Sequence, residues 1–323
     1  MREIDVQTFI DSMGTGTSRP ALIIGDDFNQ YILKNQRTTD RLGNSVDCNS
    51  LFINELLAYQ IGCYLDVPMP EAVIAFVDEQ LVNDDPKIRF AYRFEKGKFF
   101  ASERLKYLEN NLEDNFLVLQ QLNKPYRKTS WVKFFEGIGN KEDISKIIAF
   151  DVFIANIDRY ANEGNILVNS EHPNKMYAID HGHAFFGPIW DMNKKRIFNS
   201  INSVDAYTTW YCGEIFKYLP GRIFHALQEY VDLTDSNNNP FNEVVNKIEN
   251  IDVDMILLWM NTIPQEWYVD KQVQIASYSD FLLKHKIIVK RIIDIMVSAE
   301  LFVNYRGGGL QWNNQKVKSH TVY

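Results

Sequence analysis

Cysteine is scarce: Cys48, Cys63 and Cys212 are the whole complement of the 323-residue chain. They are odd in number, widely spaced and form no C-x-x-C pair, which argues against a disulfide framework or a zinc site and fits a reducing cytoplasm. No run of about eighteen apolar residues occurs, so a membrane-spanning helix is not expected. The opening "MREIDVQTFIDSMGTG" places acids where a secretory signal would be basic and then apolar, so export is not expected. A basic excess is missing too. Lys and Arg number 34 against 42 Asp and Glu, a net charge of −8. That balance disfavours general nucleic-acid binding, because phosphate affinity comes from cationic side chains that displace counterions. The sequence contains no internal repeat or low-complexity tract.

What the chain does have is apolar material, 46% of its residues, enough for one large domain or two lobes. "VQTFIDSM", "PALIIGDD" and "QYILKN" read as strands separated by the glycine loop "GTGTSR" and the turn "GDDFN". From Ser50 the spacing of Leu51, Phe52, Leu56, Tyr59 and Cys63 predicts an amphipathic helix whose apolar stripe is broken by Glu55 and which ends near Gly62. "AVIAFV" and "IRFAYRFEKGKFFAS" read as two further strands, giving an antiparallel sheet of about five. The expected organisation is α+β. Residues 1–105 form a lobe of sheet plus helix, residues 106–305 a mostly helical lobe containing a strand-turn-strand hairpin, and residues 306–323 a loosely held tail.

The segment "NIDRYANEGNILVN" lies between apolar runs and is followed by "MYAIDHG". This order places Asp158 on a loop after a helix, Asn165 at the mouth of a strand and Asp180 at the end of its hairpin partner. Asp and Asn also populate ordinary turns through bonds to their own backbone. Phosphoryl transfer, however, needs such a set: an acid that orients the attacking hydroxyl, and two oxygen ligands that hold Mg²⁺ against nucleotide phosphates. Asp158 suits the first role; Asp180 and Asn165 suit the second. Lys34, at the end of the third strand, and Glu55, on the apolar side of the following helix, form a second signal. A buried carboxylate needs a cationic partner, and in kinases such a pair aligns the Lys on the phosphates beneath a glycine loop. "MGTGTSRP" stands at that place.

"YILKNQ", "INELLAYQIGCYLDVPMPEAVI", "GKFFASERL", "NIDRYANEGNILV", "YAIDHGHAF" and "IPQEW" resemble segments of the HipA-like kinases, especially their shorter branch, over roughly residues 10–270. The resemblance implies a bilobed protein-kinase-like fold and use of ATP and Mg²⁺. It also implies phosphorylation of Ser or Thr on a protein substrate, in some relatives within toxin–antitoxin modules, so an antitoxin or other partner protein is a further expectation. By the same resemblance Lys34 is the phosphate-binding Lys, Glu55 its helix partner, Asp158 the catalytic acid and Asp180 the metal-binding acid. Gly14, Thr15, Gly16, Thr17 and Ser18 would form the phosphate loop, and the stretch from Phe99 to Glu103, with Phe100 and Glu103, would line the adenine pocket. Five positions after Asp158, where most relatives carry a metal-ligating Asn, stands Glu163. Asn165 is then the expected ligand and Asn162 the reserve.

Arg159 is expected to be structurally paired, beside Asp180. His181 and His183, at alternating positions, would point to one side; lacking a fourth ligand, they read as packing next to Asp180 rather than as zinc ligands. Phe99, Phe100, Phe185 and Phe186 read as core. Two alternatives stay open: a kinase acting on a small molecule or lipid headgroup, and a nucleotide-binding pseudokinase or partner-binding module, suggested by Glu163.

Overall fold

The computed structural model describes residues 1–12, 20–39, 44–106, 122, 136–161, 165–169, 174–218, 230–235, 238–302, 304–305 and 307–313. The expectations for Gly14, Thr15, Gly16, Thr17, Ser18, Asn162 and Glu163 lie outside these residues.

Five strands close into a barrel in the order β1-β2-β3-β7-β6. They are β1 (Glu3–Ser12), β2 (Ala21–Gly25), β3 (Gln30–Leu33), β6 (Ala72–Val77) and β7 (Gly97–Glu103). Alternation along β1, with Ile4, Val6 and Phe9 buried between exposed neighbours, selects the inward face. Two features depart from the expected antiparallel sheet. First, β1 pairs with β6 in parallel through Glu3↔Ile74, Ile4↔Ala75 and Asp5↔Phe76, because the chain returns to β1 only after a helical crossover. Second, "IRFAY" is not strand. Ile88–Tyr92 forms a π-helical turn and Arg93 takes a left-handed φ of 63°, so that Ile88 and Phe94 both enter the barrel core while Phe90 stays exposed. A short helix α2 (Glu79–Asp84), capped by the Asp78 side chain on Leu81 N–H, precedes that turn. The small hairpin of β4 (Arg37–Thr39) and β5 (Ser45–Asp47) has no counterpart in the sequence reading, since three residues a side, with Val46 the one apolar residue among them, give no periodicity.

Helix α1 (Leu51–Tyr64) was expected to be amphipathic. Instead every residue from Leu51 to Ala58 is buried, because the helix lies between the barrel and the helical layer. Behind it stand α3 (Ile144–Phe153), the single turn α4 (Asp158–Ala161), the hairpin β8 (Ile166–Asn169) and β9 (Lys175–Ala178), and α5 (Met192–Ser200). Helices α6 (Val204–Tyr218), α7 (Asn242–Asn250), α8 (Val253–Asn261), α9 (Lys271–His285) and α10 (Val289–Ser298) complete the layer. Part of the tail is docked rather than loose: Leu310 and Trp312 pack on the core, and Trp312 Nε1 donates to Asp294 at 3.1 Å. Trp267, from "IPQEW", ties the two layers together. Its Nε1 donates to Lys98 O at 2.9 Å and its ring packs on Phe52.

Helix α9 ends on His285, which is wholly buried, with Nδ1 2.6 Å from Phe153 O and Nε2 without a partner among the described residues. The carbonyl fixes the tautomer with the proton on Nδ1. A second proton on Nε2 would be buried without an acceptor, and burial pushes the imidazole down to about 4. Its folded value lies below its unfolded value, so the stability it contributes is present above about pH 6.5 and is lost as pH falls through about 4. His285→Gln should therefore flatten the acid limb of the stability curve by up to about 3 kcal/mol, measured by urea melts between pH 7 and 4. An unchanged slope would remove His285 from the account of acid sensitivity.

Candidate active site

Lys34 continues β3, its backbone N–H donating to Phe100 O at 3.0 Å, and so its side chain is launched from the barrel wall. Its Nζ is held between two carboxylates: Glu55 Oε1, in a short hydrogen bond, and Asp180 Oδ1 at 2.8 Å. Glu55 is 2% exposed. Its other oxygen, Oε2, accepts the backbone N–H of His181 at 3.1 Å, so one helix residue fixes both the lysine and the turn that carries Asp180. Burial would drive the lysine's proton off, yet the charges of Asp180 and Glu55 outweigh it and raise its pKa. Burial also pushes Glu55 up, against the attraction of Lys34. For Asp180 desolvation is the largest influence, but the charge and hydrogen bond of Lys34 win and hold the carboxyl below the usual carboxylate range.

The second half of the site is built around Arg159, which is 5% exposed. Its Nε donates to Asp151 Oδ2 at 2.7 Å, its Nη1 to Ile179 O at 2.8 Å and, in a short contact, to Asn165 O. One guanidinium thus fastens both strands of the hairpin at its mouth, where Ile179 N–H also donates to Asn165 O at 3.1 Å. Asn165 Nδ2 donates to Asp158 Oδ2 at 3.0 Å. Asp158 opens the α4 turn rather than lying on an open loop. The structure therefore gathers Lys34, Glu55 and Asp180 into one ion cluster and Asp158 with Asn165 into a hydrogen-bonded pair, and the hairpin mouth joins the two. Arg159 is structurally paired as expected, but with Asp151 and not with Asp180. The reason is geometric: Asp151 points from buried α3 at the guanidinium, whereas Asp180 is turned to Lys34.

The remaining expectations sort as follows. Phe100 is buried against α1 and Glu103 is exposed at the end of β7. His181 and His183 do not share a side, since the chain leaves the strand at Ala178: His181 is buried edge-on against Phe150 and His183 is exposed. Burial, with the charges of Arg159 and Lys34, keeps His181 neutral by lowering its pKa well below the usual value. Among the described residues no group of three or more His, Cys, Asp or Glu is placed to hold a metal. Phe185 is a core residue and Phe186 packs against the core.

Sequence reasoning missed Asn54 and Lys194. Asn54 Nδ2 lies 2.7 Å from Gly182 O and 3.0 Å from both Ala184 O and Gly187 O. Lys194, 1% exposed, donates to Gly187 O at 2.7 Å and to Tyr278 Oη at 2.9 Å. These bonds hold a segment in which Asp180, Phe185 and Phe186 all have left-handed φ, of 58°, 56° and 61°. The available signal was an Asn and a Glu side by side within the apolar run "LFINELLA". Nothing in the sequence marked Lys194.

A barrel with an inserted helix, packed on a helical layer and joined by this lysine–carboxylate cluster, is a kinase-like α+β fold. Among solved structures, the Helicobacter pylori proinflammatory kinase CtkA is similar with a TM-score of 0.50 at 13% identity, covering 91% of this chain and 98% of that one. A MAP kinase of Leishmania major, LmaMPK10, aligns at 11% identity over 96% of this chain and 88% of its own, but with a TM-score of 0.23 that carries no weight. No curated protein matches the sequence. The family model of the HipA-like kinases matches residues 6–211, and the chain belongs to that family.

Proposed function

We propose that the chain is an active ATP- and Mg²⁺-dependent kinase that phosphorylates a Ser or Thr hydroxyl of a protein. The observation that carries this reading is the single connected network running from Lys34 and Glu55 through Asp180 and the hairpin mouth to Asn165 and Asp158. The residues fit the cofactor. Asp180 and Asn165 supply oxygen donors, and Mg²⁺ characteristically takes one or two protein ligands and completes its shell with phosphate oxygens and water. Bound Mg²⁺ supplies charge neutralisation on the transferred phosphoryl group. Lys34, kept protonated by its two carboxylates, binds the nucleotide phosphates; Glu55 fixes its position. Asp158 accepts the hydrogen bond of the attacking hydroxyl, with its carboxylate oriented by Asn165. Family membership supports a protein acceptor, and a toxin-like role with an antitoxin partner is the finer form of the same reading. No helix among the described residues is long and apolar enough to cross a membrane.

The test is thermal stabilisation by ATP, with phosphosite mass spectrometry on added lysate. ATP with Mg²⁺ should raise the melting temperature, as any ligand of the folded state does, and a chelator should abolish the rise. Asp180→Asn should do the same. Equal stabilisation in that variant would overturn the metal assignment, and phosphate found only on small molecules would overturn the protein acceptor.

A further inference from the structure

Beside the barrel, a cavity of about 240 Å³ is lined by Arg37, Thr38, Ser45, Arg89, Arg93 and Glu95 and by none of Lys34, Glu55 and Asp180. It lies between the β4–β5 hairpin and the π-helical turn. Three guanidiniums face one carboxylate there, in a chain whose net charge is −8. The Arg37–Glu95 contact is long, 3.7 Å, and both side chains are largely exposed, so it neutralises little. Among the described residues Arg89 and Arg93 have no ion-pair partner.

The arrangement is held from beneath. Asn35, 6% exposed, donates through Nδ2 to Arg93 O at 2.9 Å and accepts through Oδ1 the N–H of Arg37 at 2.9 Å. One buried amide therefore fixes two of the three arginines relative to each other and stabilises the left-handed backbone of Arg93. The bonds fix the backbone from which the exposed Arg37 and Arg93 side chains project, and guanidiniums gathered round one cavity suit a tetrahedral dianion, whose several oxygens accept from the forked N–H groups of each. The Ser45 hydroxyl adds a donor, whereas that of Thr38 already donates to Val46 O at 3.5 Å. The volume lies below the about 300 Å³ at which pockets for drug-sized ligands begin, so a single anionic group fits better than a nucleotide.

A neighbouring residue argues for what carries that group. Phe90, on the same turn as Arg89, is 79% exposed. A free phosphate has no use for it, whereas a polypeptide can lay an apolar side chain on the ring while its phosphate enters the cavity. A long polyanion such as RNA is disfavoured by the chain's net charge of −8. We infer that Arg37, Arg89 and Arg93 form a receptor for a phosphorylated Ser or Thr side chain of a polypeptide, with Phe90 contacting an apolar residue beside it. The choice of that group rests in part on the protein-kinase reading, since such an enzyme generates it.

The test uses the full chain without nucleotide and fluorescence anisotropy of a labelled peptide with one phosphoserine flanked by leucines. Its unphosphorylated twin, inorganic phosphate and a single-stranded RNA serve as comparators. The phosphopeptide should bind about tenfold or more tighter than its twin, as expected for charge-assisted bonds. Arg89→Ala with Arg93→Ala should abolish the difference, and Phe90→Ala should weaken the peptide without altering competition by inorganic phosphate. Equal binding of the two peptides, or a preference that survives the double arginine change, would overturn the site. Inorganic phosphate competing as well as the phosphopeptide, or RNA competing better, would overturn the polypeptide assignment. Asp158→Ala should leave binding unchanged. Loss of turnover with retained binding, or the reverse, therefore separates this inference from the catalytic reading.

Discussion

Asp158→Asn should lower phosphoryl transfer by about a hundredfold to ten-thousandfold while leaving ATP- and Mg²⁺-dependent thermal stabilisation intact. The asymmetry follows from the site. An asparagine oxygen can still accept the hydrogen bond from Asn165 Nδ2, so the hairpin mouth stays ordered, but it cannot take the charge that builds as the attacking hydroxyl gives up its proton. Single-turnover measurement of phosphate transfer, beside melting curves with and without nucleotide, checks both halves. Turnover within about tenfold of wild type would remove Asp158 from the role of base, given the size of effect such residues have.

The largest loss of stability is expected at Arg159. Arg159→Met leaves Asp151 as an uncompensated carboxylate inside α3 and should cost about 3–5 kcal/mol in urea unfolding. The deficit carries a pH signature. Burial pushes the Asp151 carboxyl up to about 6, against the opposing charge of Arg159. A carboxyl raised above its unfolded value of about 3.9 contributes stability that is full below that value and lost as pH rises through the folded one. With the guanidinium gone the folded value rises further, so the variant's deficit should shrink as pH falls from 7 towards 4. Adding Asp151→Leu should recover much of the stability but not the activity, because the bonds from Arg159 to Asn165 O and Ile179 O are still missing. A double variant that regains full turnover would show that the guanidinium acts only through Asp151.

These two residues also show what the sequence made legible. Asp158, Asn165 and Asp180 could be read from their order around a hairpin, and Lys34 with Glu55 from a carboxylate standing on an apolar stripe. Both signals are local, or follow from one strong rule about buried charge. The partner of Arg159 was misread because Asp180 was already the obvious acid, whereas Asp151 sits inside "IIAFDVF", where its burial becomes plain only once α3 is packed. "IRFAY" has every mark of a strand and was settled otherwise by tertiary contacts, Ile88 and Phe94 both being needed inside the barrel. Parallel pairing of β1 with β6 was invisible for a related reason: the partners lie 71 positions apart in the chain, and no local pattern reports which strand a crossover returns to.

Closure of that barrel has a consequence for recognition. Each of its five strands has two neighbours, so among the described residues an extended segment of another chain could pair with the main sheet only where a strand outruns its neighbour, as β1 does beyond Asp5 on the side of β6. The other strand edges among the described residues belong to the two short hairpins, β4–β5 and β8–β9, each presenting only three or four residues a side. On the proposed protein-kinase reading, a polypeptide acceptor is then selected mainly through its side chains, and its sequence around the modified residue should tolerate proline and glycine wherever no pocket reads it.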